Sequence, residues 1–229
     1  MHLLITAATE FELAGIQQRW PAGTYQSALS VNYLVTGVGP VIAAVGTQSY
    51  LCSTRKPALL VNVGLAGAFD RTLQLGEVVH VVSDTFGDVG AQTADGGFIS
   101  AFDLGLVDPN GAPFSGGTLQ STSAYAFAKQ VTGVTNSTVH GEAGSIARFG
   151  ERSEAQVESM EGAAVAYVAL RQNIPHIQLR AISNYVEPRD REAWRIELAL
   201  DNLTEALDAM MLALPGAPAA RAARLQLGR

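Results

Sequence analysis

The chain is poor in cysteine and in charged residues. Only one cysteine, Cys52, occurs among 229 residues, which excludes an internal disulfide and a zinc site built from several thiolates. Because Cys52 lies in an apolar run, we expect it to be a buried core thiol. Charged residues make up 16% of the chain and hydrophobic residues 48%. This balance predicts a folded chain with a large core, argues against long disordered regions and favours an oligomer.

Two further absences limit the partners of the protein. The formal net charge is −6 and the basic residues are scattered, so the chain has no basic face for the phosphate backbone of nucleic acids. No run approaches the ~20 apolar residues of a membrane-spanning helix, and the apolar run at residues 3–5 is too short for a signal peptide. We therefore expect a cytoplasmic protein with a small-molecule ligand, without nucleic-acid or membrane partners.

Short apolar segments alternate with longer helical segments along the chain. Strands are predicted at residues 3–8, 31–36, 59–63, 77–83, 134–139 and 177–183. Helices are predicted at residues 9–20, 40–52, 123–131, 160–171 and 191–214. The alternation predicts a three-layer α/β domain over residues 1–214, with a mixed, mainly parallel central sheet flanked by helices on both faces. Residues 86–117 are predicted to form a long loop, and residues 215–229 a flexible tail.

Glutamates follow the first strand and open a later helix. Thr9 and Glu12 have the spacing of a capping box, but a carboxylate at the carboxyl end of a strand can also activate water. Met160 and Glu161 begin a helix of small apolar residues. Glu161 could cap that helix, or its carboxylate could accept both hydrogen bonds of a ribose diol.

Two other strand ends carry candidate ligand contacts. The turn at residues 62–67 contains Gly64, Leu65 and Gly67, where a backbone free of side chains could approach a ligand or simply turn tightly. The turn lacks the dinucleotide fingerprint, so no cofactor is predicted. Asn184 ends the strand at residues 177–183, as a turn residue or as a ligand contact. No cluster of side chains has metal-ligand spacing, so no metal is predicted.

These segments, in this order, resemble the nucleoside phosphorylase/nucleosidase superfamily. The run Ser-Met-Glu-Gly-Ala-Ala at residues 159–164, followed by the strand Arg-Ala-Ile-Ser at residues 180–183, carries the resemblance, which extends over residues 1–214. Within the superfamily, the motif at residues 183–189 and Trp194 are most similar to the futalosine hydrolases. The resemblance implies a nucleoside-phosphorylase-like fold, a homodimer or larger oligomer, and hydrolysis of futalosine by water to release hypoxanthine, in menaquinone biosynthesis.

The resemblance also implies roles for individual residues. Glu12 matches the water-activating glutamate, Met160 and Glu161 the pair that contacts ribose, and Arg180 the arginine that braces this region. Asn184 stands where the adenine-specific nucleosidases have an aspartate. An amide can hydrogen-bond a 6-oxopurine but cannot give up a proton, so the substitution points to hypoxanthine as the leaving base.

Further positions in the resemblance concern the nucleophile and the base. Gly64 and Leu65 lie in the turn where relatives often have Ser or Thr near phosphate, so Leu65 favours water over phosphate. His140 and Gly141 lie in the base-binding stretch, although His140 is equally consistent with an ordinary loop histidine.

Futalosine carries a benzoate at its 5′ end, and an arginine is the side chain that we expect to bind this carboxylate. Arg148, Arg189 and Arg191 are candidates, and the segment at residues 86–102 could wall the aromatic ring.

Three other functions fit the same residues. They are a methylthioadenosine/S-adenosylhomocysteine-type nucleosidase, a purine nucleoside phosphorylase, and a nucleoside-binding sensor without catalysis. Retention of both Glu12 and Glu161 argues against the sensor, because a protein that only binds needs no group to activate water.

Overall fold

The computed structural model describes residues 1–25, 28–123, 125 and 128–214. Its strands are β1 (His2–Ala7), β2 (Gly23–Tyr25), β3 (Leu29–Val35), β4 (Leu59–Ala68), β5 (Val78–Asp84), β6 (Gly90–Gln92), β7 (Phe98–Ser100), β8 (Leu119–Gln120), β9 (Lys129–Thr135), β10 (Val157–Ser159) and β11 (His176–Tyr185). Its helices are α1 (Glu10–Arg19), α2 (Pro40–Ser53), α3 (Ala143–Gly150), α4 (Gly162–Arg171) and α5 (Ile196–Ala213), with a 3₁₀ turn at Arg191–Ala193. The predicted tail at residues 215–229 lies outside the described residues.

The strands form one large mixed sheet and one short hairpin. The large sheet has the order β10-β9-β5-β11-β4-β1-β3-β2, with β8 paired to β5. Strand β10 also pairs with β4, so β4, β11, β5, β9 and β10 close into a ring. Strand β1 runs parallel to both β3 and β4, and β11 runs parallel to β4. The predicted mixed α/β architecture is confirmed, whereas the closed ring was not anticipated.

Helices cover both faces of the sheet, as predicted. On one face, Leu3 and Ile5 of β1 pack with Ile16 of α1 and Leu203 and Leu207 of α5. On the other face, buried residues of β1 and β4 pack against α2 and α4; they include Leu4, Leu60, Ala43 and Val165. Because successive side chains of a strand point to opposite faces, β1 contributes to both cores, and its Leu3, Leu4 and Ile5 are all fully buried.

One edge of β4 is shared by two strands. Strand β1 pairs with residues 59–62 of β4, and β10 pairs with Gly67 and Ala68. Neither strand pairs with residues 63–66, so this edge has a gap. Parallel sheets bind ligands at such points, where neighbouring strands diverge at their carboxyl ends. The candidate functional site described below lies at this gap.

Several predicted elements are wrong or displaced. Residues 129–131, predicted as helical, begin strand β9, which continues to Thr135 and pairs in parallel with β5. The predicted strand at residues 134–139 is therefore displaced by several residues. The long segment at residues 86–117 contains the β6–β7 hairpin. The last predicted helix begins only at Ile196; a 3₁₀ turn occupies residues 191–193, and the backbone N–H of Arg195 donates to Ser183 O instead of lying inside the helix.

The expectation of a buried Cys52 is wrong. The side chain is exposed on α2, where Gln48 Nε2 donates to its sulfur at 3.0 Å. The buried residues of α2 are Ala43, Thr47 and Leu51, which recur every four residues on one helix face. Position 52 is one residue, and thus about 100°, away from that face.

No helix in the described part of the chain is both long and apolar enough to cross a bilayer.

Candidate active site

A cavity of about 410 Å³ opens at the gap beside β4. Its walls come from the residues after β1, the second half of β4, the junction of β10 with α4, and the end of β11. They include Glu12, Leu65, Met160, Glu161, His140 and Asn184. Elements that are far apart in the chain therefore bring together most of the site residues predicted from the sequence.

The carboxylate of Glu12 is fixed by three donors. The backbone N–H and the hydroxyl of Thr9 donate to its Oε2 at 3.0 and 2.9 Å. The backbone N–H of Leu65, at the gap in one edge of β4, donates to its Oε1 at 3.2 Å. Glu12 therefore takes part in the capping box of α1 and also lines the cavity. The capping role is confirmed, whereas activation of water by Glu12 stays a prediction, which its place on the cavity wall allows.

Gly64 allows this carboxylate to approach the strand. A Cβ atom at position 64 would lie 2.8 Å from Glu12 Oε1, which is closer than side chains pack. The glycine does not itself line the cavity. Gly64 contributes to the candidate site indirectly, because the absence of a side chain leaves space for the carboxylate of Glu12.

Glu161 faces the cavity instead of capping its own helix. It is the N-cap residue of α4 but makes no side-chain cap hydrogen bond. Its Oε1 accepts a hydrogen bond from Gly39 N at 2.8 Å. Burial raises the pKa of Glu161, against the opposing effects of the Gly39 N–H and the charge of Arg180. The carboxylate is thus partly desolvated, and Met160 lies beside it on the cavity wall.

Arg180 lies beneath the cavity and not on its wall. It is fully buried, and its Nη2 donates to Asn62 Oδ1 at 2.6 Å while its Nη1 donates to Leu179 O at 3.0 Å. Its positive charge acts on Glu161 and Glu12 from below. This position fits a bracing role, whereas direct substrate contact by Arg180, as predicted, has no support from the geometry.

Asn184 marks one end of the cavity. Its Oδ1 accepts from Ser183 Oγ at 2.8 Å and its Nδ2 donates to Tyr185 O at 2.9 Å. A Cβ atom at Gly67 would lie 3.2 Å from Asn184 Nδ2 and 3.6 Å from Glu158 Cγ. Glycine at position 67 therefore lets Asn184 and Glu158 lie next to each other.

Glu158 is a site residue that sequence reasoning missed. It lines the cavity, is only 3% exposed, and accepts two hydrogen bonds from His140: from the backbone N–H at 3.0 Å and from Nδ1 at 2.7 Å. The one signal in the sequence was the second acid, three residues before Glu161. Since His140 lies in a different segment, the pair is visible only in the fold.

Gly141 is next to this pair and anchors another wall residue. Its carbonyl oxygen accepts from the backbone N–H of Arg189 at 3.0 Å. Gly141 is not itself on the cavity wall, so its predicted contact with substrate has no support from the geometry.

The three candidate arginines lie in different places. Arg189 lines the cavity, and its guanidinium lies 4.9 Å from the ring centre of Trp194. Arg191 lies 6.0 Å from the same ring but not on the cavity wall. Arg148 borders a second cavity, of about 700 Å³.

The segment at residues 86–102 also borders this second cavity, through the β6–β7 hairpin. It contributes nothing to the wall of the first, so the expectation that it walls the substrate is wrong for the chain as described.

Metal-type side chains do not cluster at this site. Throughout the described ranges, no group of three or more His, Cys, Asp or Glu side chains is arranged to hold an ion.

Comparison with known proteins gives consistent matches. The phosphorylase superfamily model matches residues 22–214. The chain is 36% identical over 222 residues to a futalosine hydrolase of Streptomyces coelicolor, covering 90% of this chain and 94% of that protein. It is 30% identical over 179 residues to a 5′-methylthioadenosine/S-adenosylhomocysteine nucleosidase of Bacillus velezensis, covering 71% of each. A solved structure of futalosine hydrolase from Helicobacter pylori has a TM-score of 0.74 at 17% identity, covering 93% of this chain and 98% of that one. The nucleoside-phosphorylase-like fold predicted from the sequence is confirmed.

Proposed function

Because the chain belongs to the phosphorylase superfamily, we propose that it is an enzyme that hydrolyses the N-glycosidic bond of futalosine. The products are hypoxanthine and dehypoxanthine futalosine, an activity in keeping with menaquinone biosynthesis. The observation that carries the proposal is the convergence of Glu12 and Glu161 on one cavity that also contains Asn184. The strong sequence match to a futalosine hydrolase supports the choice of substrate.

The two glutamates divide the chemistry at the sugar. Glycosidic cleavage passes through a transition state in which positive charge grows on the ribose ring. Glu161 accepts hydrogen bonds from the ribose diol and lies close to the developing cation. Glu12, held by Thr9 and Leu65, orients a water molecule and takes its proton as the oxygen attacks the anomeric carbon.

Asn184 stabilises the leaving base. Its side-chain amide can rotate away from Tyr185 O to donate to N7 or O6 of a 6-oxopurine, where negative charge develops as the bond breaks. An adenine-specific site would place a proton donor at this position. The amide therefore favours hypoxanthine over adenine as the leaving base.

Water fits the nucleophile position better than phosphate does. A phosphate bound beside Glu12 would meet the carboxylate of that residue and, across the cavity, that of Glu161. Leu65 offers only its backbone N–H, and Glu12 already accepts it. These contacts support hydrolysis and not phosphorolysis.

The proposal is tested by following release of free base from futalosine, inosine and methylthioadenosine, each with and without phosphate. We expect hypoxanthine from futalosine at a rate independent of phosphate. Base release that requires phosphate would make the protein a phosphorylase. Preference for methylthioadenosine would make it an adenosine-type nucleosidase, and binding without turnover would make it a sensor.

We also propose that a second copy of the chain covers α2. Val41, Ile42 and Val45 are exposed on this helix, with Val41 74% exposed, and the apolar surface continues to Val38 and Phe11 on the cavity rim. Contiguous apolar surface of this kind is typical of interfaces. Light scattering should give a dimer or larger oligomer, and Val41→Lys with Val45→Lys should give monomers; a monomeric wild type would contradict the proposal.

A further inference from the structure

The imidazole ring of His140 is held rigidly at the edge of the cavity. It packs against Phe69 and Phe149, with ring centres 5.8 and 4.5 Å away. Its Nδ1 bonds to Glu158 Oε2 at 2.7 Å, and its backbone N–H bonds to the other carboxylate oxygen. In catalytic and metal sites, a carboxylate that accepts from one ring nitrogen orients a functional histidine in the same way.

The partner of His140 fixes which ring nitrogen faces a ligand. Glu158 is buried, and a buried carboxylate needs a cation or several donors to offset its desolvation. Its donors in the described structure are His140 and, at 3.5 Å, Asn136. With Nδ1–H donating to Glu158, the second ring nitrogen, Nε2, is the one that a ligand can meet, and in the protonated ring it is Nε2–H that can be transferred.

The pair lies at the same end of the cavity as Asn184. Both Asn184 Nδ2 and Glu158 Cγ are within 4 Å of the position that a Cβ would take at Gly67. The amide of Asn184 can donate a hydrogen bond but cannot give up its proton. A purine anion leaving at this end of the cavity therefore needs a proton from another group.

We propose that His140, held by Glu158, is the proton donor to the leaving purine. The inference rests on the proposed nucleosidase function and names a catalytic residue within that site. As the bond between the anomeric carbon and purine N9 breaks, its electron pair moves onto the purine, and the proton on His140 Nε2 passes to N7.

The proton balance closes with Glu12. Water attacks the anomeric carbon and its proton goes to Glu12, so the reaction consumes one water molecule. Glu12 then loses that proton to solvent and His140 regains one from solvent. In this scheme Asn184 positions the base, Glu158 positions His140, and His140 carries the proton.

Two variants distinguish a role of His140 in proton transfer from a role in packing. His140→Phe keeps a ring against Phe69 and Phe149 but removes both nitrogens. Glu158→Gln keeps a hydrogen-bonding side chain but removes the carboxylate that accepts from His140 Nδ1. Glu151→Gln, an exposed acid at the end of α3, is the matched control. Thermal unfolding of each variant establishes that it is folded.

Each protein is assayed with futalosine and with two probes whose leaving groups need no proton, 4-nitrophenyl β-D-ribofuranoside and 7-methylinosine. For futalosine we expect kcat to fall about 10²–10⁴-fold in His140→Phe, and by a smaller factor in Glu158→Gln, with KM changed less than about threefold. For the probes we expect rates within about threefold of wild type, because no proton transfer is lost.

Several results would overturn the proposal. They are unchanged futalosine turnover in His140→Phe, a rise in KM with constant kcat, or equal losses on futalosine and on the probes. If the wild type accepts neither probe, the split between kcat and KM on futalosine decides alone. Failure of the wild type to hydrolyse futalosine would instead contradict the proposed substrate, and His140 would then be tested on the purine nucleoside that the wild type does cleave.

Discussion

At the scale of single residues, Glu12 combines an observed structural contact with a proposed chemical role. The donors that fix its carboxylate, Thr9 and Leu65, belong to the helix start and to the gap in one edge of β4. A general base must be oriented before the substrate arrives, and here the capping box supplies that orientation. The helix start and the proposed water site therefore depend on one side chain.

We expect Glu12→Gln to bind futalosine but to lose turnover. Glutamine has nearly the same shape but cannot accept the proton of water, so kcat should fall about 10²–10⁴-fold. Calorimetry measures binding and base release measures kcat. Glu10→Gln, in the same turn of α1 but exposed, should behave like wild type. Full activity in Glu12→Gln would remove Glu12 from the mechanism.

Arg189 is the candidate arginine that lines the cavity, and we expect it to meet the benzoate of futalosine. A charge-assisted hydrogen bond contributes about 1.5–3 kcal/mol, so Arg189→Gln should raise KM for futalosine about 10–100-fold. Inosine lacks the benzoate, so its KM should not change. Arg191→Gln, beside the same Trp194 ring but off the cavity wall, is the control. An equal effect of Arg189→Gln on both substrates would refute the assignment.

The sequence located most of these side chains but not their partners. Glu12, Met160, Glu161 and Asn184 follow strands or open a buried helix, and all four line one cavity. Glu158 was missed because its importance comes from contact with His140, which belongs to another segment. Arg180 was placed too close to substrate, because the motif indicates its neighbourhood and not the direction of its side chain.

At the scale of elements, the start of α4 shows how tightly the site is built. A Cβ at Gly162 would lie 2.1 Å from Gln178 Nε2 and 2.3 Å from Asp84 Oδ2, two buried atoms that bond to each other at 2.8 Å. The hydroxyl of Thr135 accepts from the backbone N–H of Ala163 at 2.7 Å and fixes the same turn. The position of Glu161 therefore depends on this buried polar network.

We expect Gly162→Ala to lower the free energy of unfolding by about 1–3 kcal/mol, as overpacking does, and to reduce activity by displacing Glu161. Gly150→Ala is the matched control, since it is also helical but has open space around its Cβ position. It should leave stability unchanged or raise it by up to ~1 kcal/mol. Chemical denaturation measures both; equal stability of the two variants would contradict the packing argument.

Element types were predicted well where the hydrophobic pattern was long, and poorly where pairing decided them. Strands β4 and β11 were found but extend further than predicted, because each continues along a neighbour in the ring. Residues 129–131 look locally helical, yet β9 is a strand because β5 offers it an edge. The pairing of β10 with β4 joins segments that are distant in sequence, so no local sequence pattern predicts it.

At the scale of the whole molecule, buried histidines couple stability to pH. Burial, with a smaller effect of His80, lowers the pKa of His176 from 6.5 to about 4. Between these values the unfolded chain binds a proton that the folded protein does not, so stability falls as pH falls from about 6.5 to about 4. For His176 the loss is about 3 kcal/mol when complete. Burial also lowers the pKa of His80, which acts in the same direction.

We therefore expect the free energy of unfolding to drop on acidification, and His176→Gln to show a smaller drop. Urea unfolding at pH 7 and at pH 4.5 measures the difference. Comparison of the two slopes cancels the titration of groups that both proteins share. An identical pH dependence in the variant would show that His176 is not the group responsible.

The ring of strands also affects how the chain folds while it is being synthesised. Strand β4 is complete at residue 68, yet the partner along its second edge, β11, begins only at residue 176. Until that strand emerges from the ribosome, this edge of the apolar strand β4 has no native partner. Unpaired edges of apolar strands can pair with other chains and aggregate. A nascent chain that stops short of β11 thus has the first glutamate and the helix of the second, but no enclosed chamber between them. Truncation in this region should yield aggregation-prone fragments and not a weakened enzyme.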